Sequence, residues 1–239
     1  MKGDDIMDRL PIRNSSMFSE EHMGMLSEVA TTKELEENEY LFQEGSVADR
    51  IFLVRSGSIK LYQVLRGGAI STMALYFKDD LFGESDPAAH VIQQYRAVAM
   101  EKTIVSEIMQ EDVNALIHSN GHFAEVFVSW SGLINRINQS KLRGFLHYGK
   151  SGALCSLLLR LANTYPAEHN GKRYINKRIT NLEMAEMICA TRESVNRILS
   201  DFKKRRIVSM MEGKIVLHDI AYLKEICNCD KCPIEICRM

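Results

Sequence analysis

The sequence predicts an α+β chain: an N-terminal antiparallel β jelly roll, a long central helix and a C-terminal winged helix-turn-helix. Three observations carry that expectation. Between about residues 30 and 110, short apolar stretches alternate with glycine-bearing turns. From Phe123 onward the apolar spacing becomes helical, and near Thr180 two short helical patterns meet at a tight turn and lead into a hairpin.

In the first region, Tyr40-Leu41-Phe42 precedes Glu44-Gly45, Ile51-Phe52-Leu53-Val54 runs to Gly57, and Ile59 and Leu61 alternate with Lys60 and Tyr62. Arg66-Gly67-Gly68 suits a hairpin turn, Leu81-Phe82 ends at Gly83, and Ile104-Val105 closes the series. Many short strands with frequent turns indicate two packed antiparallel sheets. Phe123, Phe127, Trp130, Ile134 and Ile137 then recur at spacings of 4, 3, 4 and 3, with Val126 and Leu133 widening the stripe. Spacing alone fits a stripe packed on its own sandwich as well as a seam along a parallel partner helix; the heptad regularity favours the seam and predicts a homodimer, with Trp130 as a seam residue. The helix should stop near Tyr148-Gly149.

Residues 152–164 form another apolar helix. Thr180, three residues before Glu183, gives a capping box, and Leu182, Ala185 and Ile188 should supply the apolar face of the helix it opens, with Met184 and Met187 at the margins. Thr191 can cap a second helix whose Val195, Ile198, Leu199 and Phe202 point inward. A hairpin turning at Glu212-Gly213 follows as the wing. The expected organisation is 1–115 jelly roll, 116–149 dimerisation helix, 150–222 winged helix-turn-helix and 223–239 cysteine-rich tail.

Composition narrows the function. The formal net charge is −1, but residues 1–120 hold 11 Lys and Arg against 20 Asp and Glu, whereas residues 121–239 hold 19 against 11. The basic half suits a polyanion. No apolar run approaches the roughly 18 residues of a membrane span, so no membrane partner is expected and the protein is expected to be cytoplasmic. In a reducing compartment six cysteines are not read as a disulfide framework.

From Lys172 to Arg206 there are ten Lys and Arg against four Asp and Glu, and the run coincides with the helix-turn-helix. The first turns of the second helix would enter the major groove of double-stranded DNA. There Arg can donate twice to guanine and Glu can accept from cytosine. Arg192, Glu193, Asn196 and Arg197 share one face, and together with Ser194 they form the candidate DNA-contacting set. Lys203, Lys204, Arg205 and Arg206 suit phosphates. Cys155 and Cys189, each set among apolar helical residues, should be buried packing thiols.

The order of these parts, with Arg192-Glu193-Ser194-Val195-Asn196-Arg197-Ile198-Leu199, resembles the cyclic-AMP receptor/Fnr superfamily of bacterial transcription regulators over nearly the whole chain. The resemblance implies that the residues matching Arg192, Glu193 and Arg197 read a TGTGA-type inverted repeat, one half-site per subunit, and that RNA polymerase is a further partner. In the jelly roll, a cyclic-phosphate cassette needs an Arg-Ser pair opposite Gly-Glu. Gly83-Glu84 is present, but about Gln93-Gln94 stands where the pair should be, with Arg96 two residues on. A cyclic nucleotide is therefore not expected, and the jelly roll reads as a scaffold.

The tail supplies the sharper motif. In Cys229-x2-Cys232-Pro233-x3-Cys237 the first two cysteines have chelating spacing, a proline follows the second, and a third thiol lies five residues beyond it. This run, with Gln139-Ser140-Lys141-Leu142-Arg143 and Tyr148-Gly149-Lys150-Ser151-Gly152-Ala153-Leu154, is similar to the Gram-positive type of Fnr. The resemblance implies an oxygen-labile 4Fe-4S cluster held by Cys229, Cys232 and Cys237. In that subgroup an Asp on the long helix is the fourth ligand. The matching position here is about Gly144, and no Asp or Glu occurs between Glu125 and Glu168. Cys227, His147 and solvent stand as candidates. The alternatives are a zinc site using Cys227, a disulfide switch, or a small effector in the jelly roll. An enzyme is not expected: a cupin-like metal site needs several histidines, and residues 30–110 contain only His90.

Overall fold

A computed structural model describes residues 13–84, 91–169, 171–229 and 232–239, apart from the side chains of Phe145, His147 and His169. His90 and Asn170 lie outside the described residues. The described chain divides into two compact units at residue 135/136, each described here by itself.

The first unit begins with helix α1 (Glu20–Val29), capped by Ser19, and continues through β1 (Thr31–Leu35), β2 (Tyr40–Phe42), β3 (Arg50–Ser56), β4 (Ser58–Val64), β5 (Ile70–Phe77), β6 (Leu81–Gly83), β7 (Arg96–Ala99) and β8 (Thr103–Met109). Two four-stranded antiparallel sheets result, ordered β1-β8-β3-β6 and β2-β7-β4-β5. Gly57, at φ +80, joins β3 to β4, and a Cβ there would lie 2.6 Å from the Lys102 carbonyl oxygen, so only glycine fits.

The run Ile51-Phe52-Leu53-Val54 is buried throughout because both faces of β3 are covered. Phe52 and Val54 point between the sheets, with Leu35, Ile59, Phe82 and Val105; Ile51 and Leu53 point the other way, under helices. That second layer is α1, α2 (Gln110–Ser119) and the start of α3 (Gly121–His147).

Here the expectation for the long helix needs correction. Phe123, Phe127 and Trp130 are buried in the jelly roll's own core with Phe18, Leu26 and Leu81, and Val126 and Ile134 pack against the same cluster. The stripe is real, but it closes its own domain, because the outward residues of β3 and β6 need an apolar cover. A period of 3.5 to 3.6 does not say which neighbour receives the stripe. The exposed apolar residues of α3 are Val128, Leu142 and Leu146; the first two are fourteen residues apart, on one side of the helix.

The second unit holds the remainder of α3, then α4 (Gly149–Thr164), β9 (Pro166–His169), β10 (Lys172–Ile175), α5 (Asn181–Met187), α6 (Arg192–Lys204), β11 (Val208–Met211), β12 (Lys214–Leu217) and α7 (Ile220–Ile226). Gly149, at φ +57, lies where α3 gives way to α4. The strands form one sheet, β11-β12-β10-β9, and the wing turns at Glu212 and Gly213, both at positive φ. No described helix is long and apolar enough to cross a membrane.

Candidate DNA-reading face and cysteine site

Helix α5 starts with the expected capping box: Glu183 N–H donates to Thr180 Oγ1 at 3.1 Å and Thr180 N–H donates to Glu183 Oε2 at 2.6 Å. Its buried face differs from the expectation. Met184, Ala185 and Ile188 are buried, whereas Leu182 is 53% exposed. Seven residues make two turns, so the packing of the unit, not the period, selects the face. Cys189 is exposed, contrary to expectation. It occupies the turn at φ +48, the left-handed conformation that ends a helix, which carries its side chain out of the helical pattern.

Thr191 caps α6 by accepting from Ser194 N–H at 3.2 Å. Arg192, Glu193, Asn196 and Arg197 are all exposed on the first two turns, and Asn196 Oδ1 accepts from Asn181 Nδ2 at 3.2 Å. Ser194 differs from them: it is buried, and its hydroxyl lies 3.0 Å from that of Thr191, so it completes the cap. Glu193 is held below the usual carboxylate range, first by its own backbone N–H and then by the Thr191 hydroxyl. Of the four basic residues at the helix end, Arg205 is engaged with Tyr222 Oη at 2.7 Å and Asp201 at 3.6 Å. A cation the sequence reasoning missed is Arg178, whose Nε donates to the Glu212 carbonyl at 3.1 Å and so stands at the wing tip.

The tail folds back onto α4. Cys227 ends α7, and Asn228, at φ +46, reverses the chain so that Cys229 N–H donates to the Lys224 carbonyl at 2.9 Å. The Cys229 sulfur then becomes a hub, receiving hydrogen bonds from the thiols of Cys227, Cys237 and Cys232. These bonds, with the positive charge of Arg160 behind them, hold the Cys229 thiol far below its ordinary range, while its neighbours Cys227 and Cys237 are pushed up by donating to it and by burial. The Asp230-Lys231 link lies outside the described residues.

Arg160 is the residue that sequence reasoning overlooked. It is only 4% exposed, and it donates to the carbonyls of Ile236 at 3.0 Å and Arg238 at 3.1 Å, to Ser140 Oγ on α3 at 2.8 Å and, through Nε, to Ser156 Oγ at 3.4 Å. Ser140 Oγ in turn lies 3.5 Å from the Cys232 sulfur. Asn163 donates to the Cys237 carbonyl at 2.6 Å, and Met239 N–H donates to Thr164 Oγ1 at 3.1 Å. The available signal was a lone cation inside Leu157-Leu158-Leu159-Arg160-Leu161.

Arg160, a buried cation whose acceptors here are all neutral, acts on the thiols of Cys229 and Cys237, a setting that suits an anionic, thiolate-bound group. Among the described residues, no three His, Cys, Asp or Glu are placed to hold a single metal ion. A polynuclear iron–sulfur group carries its thiolates on separate irons, so its ligands need not meet at one point. Gly144 is buried against α4: a Cβ there would lie 3.2 Å from Ser156 Oγ, so a carboxylate at this position would displace Ser156. The His147 side chain lies outside the described residues.

Residues 152–226 match the family model of the Crp-like helix-turn-helix domain, and residues 32–120 match that of the cyclic nucleotide-binding domain. The chain is 33% identical to the anaerobic regulatory protein of Bacillus subtilis, over 98% of this chain and 100% of that one. It is 26% identical to the cyclic AMP receptor protein of Thermus thermophilus, over 78% of this chain and 83% of the other. Among solved structures it resembles a CooA mutant from Carboxydothermus hydrogenoformans, with a TM-score of 0.73, 21% identity and coverage of 93% and 97% of the two chains. FixK2 from Bradyrhizobium japonicum gives 0.68, 19%, 83% and 97%. With reading helix, wing and jelly roll in place, and a relative of regulatory function matched along its full length, the chain belongs to the cyclic-AMP receptor/Fnr family of DNA-binding transcription regulators.

Proposed function

We propose that this regulator is a cytoplasmic homodimer controlled by an oxygen-labile 4Fe-4S cluster on Cys229, Cys232 and Cys237. Each protomer reads one half of a TGTGA-type inverted repeat through Arg192, Glu193, Asn196 and Arg197, with Ser194 serving the helix cap, and RNA polymerase is the expected further partner. The observation that carries the sensor assignment is the gathering of tail sulfurs at Cys229 beside Arg160. The full-length similarity to an anaerobic regulatory protein supports it.

When bound, the cluster supplies an inorganic core that oxygen dismantles. The chain does the rest. Arg160, Asn163 and Thr164 hold the tail on α4, and Arg160 simultaneously holds Ser140 of α3. A tail secured there fixes α3 to α4, and with it the setting of the reading helix; a tail released from its cysteines loosens that join. Two reading helices fit half-sites about one helical turn apart only in one relative setting. Dimerisation falls to the exposed side of α3 that carries Val128, Leu142 and Leu146.

The jelly roll acts as a scaffold. Gln93 is buried with its backbone bonded to Gly45 and Ser46, and Arg96 Nε lies 3.7 Å from Glu44.

The test is anaerobic reconstitution with iron and sulfide, followed by absorbance, metal analysis and a gel shift on a TGTGA-type palindrome. Cys232→Ser should lose both the iron–sulfur absorbance and anaerobic operator binding. Retention of both in the purified variant refutes the assignment, and colourless anaerobic wild-type protein containing zinc replaces the sensor with a zinc site.

A further inference from the structure

We propose that Cys227 is the fourth thiolate of the tail site, so that α7 and the tail close the site with cysteines alone and α3 contributes no ligand. The inference rests on the cluster assignment above and concerns only who completes it.

Position is the first argument. Cys227 is the C-cap of α7, and the left-handed Asn228 folds the chain so tightly that the sulfurs of Cys227 and Cys229 are hydrogen-bonded although only one residue separates them. Cys227 is 3% exposed, and its single S–H has the Leu223 carbonyl at 3.1 Å and the Lys224 carbonyl at 3.7 Å within reach as alternatives to Cys229. A packing cysteine needs apolar neighbours; the side chains acting on this thiol are other thiols, Cys229 first and then Cys155 and Cys237.

Among the described side chains the competing donors are weaker. Gly144 offers no side chain and is walled off by Ser156. Ser140 lies beside Cys232, but its hydroxyl is held by Arg160 at 2.8 Å and is a hard oxygen donor where three soft sulfurs already set the preference. The run from Glu125 to Glu168 contains no carboxylate between its ends. On ligation the S–H bond of Cys227 breaks, its proton passes to solvent, and an S–Fe bond replaces a labile ligand on the iron; no electron changes hands.

The test compares wild type, Cys227→Ala and Cys227→Ser, with Cys189→Ser as an unrelated-thiol control, all full-length and reconstituted anaerobically. The cluster is mildly oxidised with ferricyanide. Loss of one iron is followed by electron paramagnetic resonance of the three-iron product, and access to an open iron by the spectral response to added 2-mercaptoethanol. Wild type should resist iron loss and ignore the added thiol. Cys227→Ala should lose one iron roughly tenfold faster or more and respond to the thiol. Cys227→Ser keeps the side-chain volume and the bond to the Leu223 carbonyl, so faster loss there too assigns the effect to the missing thiolate and not to a packing defect. Wild-type stability in Cys227→Ser, or a wild-type cluster that already binds the added thiol, overturns the proposal while leaving the cluster standing. Wild type that takes up no iron overturns the cluster assignment itself, and the fourth-ligand inference with it.

Discussion

Replacing Arg160 with methionine isolates the latch that holds the tail, because methionine fills similar volume without donors. Four bonds from the guanidinium disappear, to Ser140 Oγ at 2.8 Å, to the carbonyls of Ile236 at 3.0 Å and Arg238 at 3.1 Å, and to Ser156 Oγ at 3.4 Å. A hydrogen bond to a charged group contributes about 1.5–3 kcal/mol net, and a buried carbonyl left without a donor costs about 1–3 kcal/mol. Relief from burying an unpaired guanidinium offsets part of that loss. The balance weakens tail docking by about 2–4 kcal/mol, roughly 30- to 1,000-fold in the docking equilibrium. Hydrogen exchange on the cluster-free protein reads this directly. The amides of Cys237, bonded to the Pro233 carbonyl at 3.1 Å, and of Met239, bonded to Thr164 at 3.1 Å, should exchange faster by that factor, while amides in the middle of α4 report global opening and should not. Arg160→Lys keeps the charge but loses the fork, and should fall between. Tail amides within about twofold of wild type would show that the guanidinium is not what secures the tail.

Two further outcomes follow from burial. Trp130→Ala should lower the urea stability of the jelly-roll unit by about 3–5 kcal/mol and leave the dimer dissociation constant near wild type; Leu142→Glu on the exposed side of α3 should weaken the dimer in sedimentation equilibrium with little effect on the urea midpoint, and the reverse pattern would return Trp130 to the subunit interface. Burial pushes the Cys155 thiol up to about 12 from its ordinary 9.0, so between those values the unfolded chain has lost a proton that the folded chain keeps. The contribution of Cys155 is therefore complete below pH 9 and falls above it by about 1.4 kcal/mol per pH unit; Cys155→Val should make the alkaline slope in thermal melts shallower by that amount, and an identical slope in both proteins would assign it to other groups.

What the sequence made legible was local. The Thr180–Glu183 box and the Glu212-Gly213 wing turn each depend on residues a few positions apart, and each stands where expected. What it hid was choice of neighbour. The α3 stripe has the right period for a partner helix and for a sheet, and β3 took it because Ile51 and Leu53 needed covering. Leu182 and Met184 both suit a core, and a two-turn helix gives the period too little length to decide between them. Cys189 follows the apolar pattern until the turn inverts its backbone. Arg160 and Ser140 are joined across a turn between helices, and their meeting with Ile236 and Arg238 spans more than seventy residues, beyond any local spacing rule.

Helix α7 gives the tail a short physical route to the reading helix. At one end, Tyr222 receives the Arg205 guanidinium on its hydroxyl at 2.7 Å and over its ring at 4.5 Å, and it meets the buried Phe202 edge-on at 6.0 Å; both partners belong to the last turns of α6. At the other end stands Cys227. The start of α4 closes on that end as well: a Cβ on Gly152 would lie 3.4 Å from the Ile226 carbonyl oxygen, in van der Waals contact, and would overlap Tyr148 Cβ, which is what excludes a side chain there. Seven helical residues span about 10 Å. A change at the cysteines therefore acts on a rod whose far end is already fastened to α6, and Arg160 ties the same cysteine segment to α3. A ligand drawn from α7 itself, as inferred for Cys227, would place cluster occupancy and the setting of the reading helix on one rigid element, with no need for a long chain of intermediates.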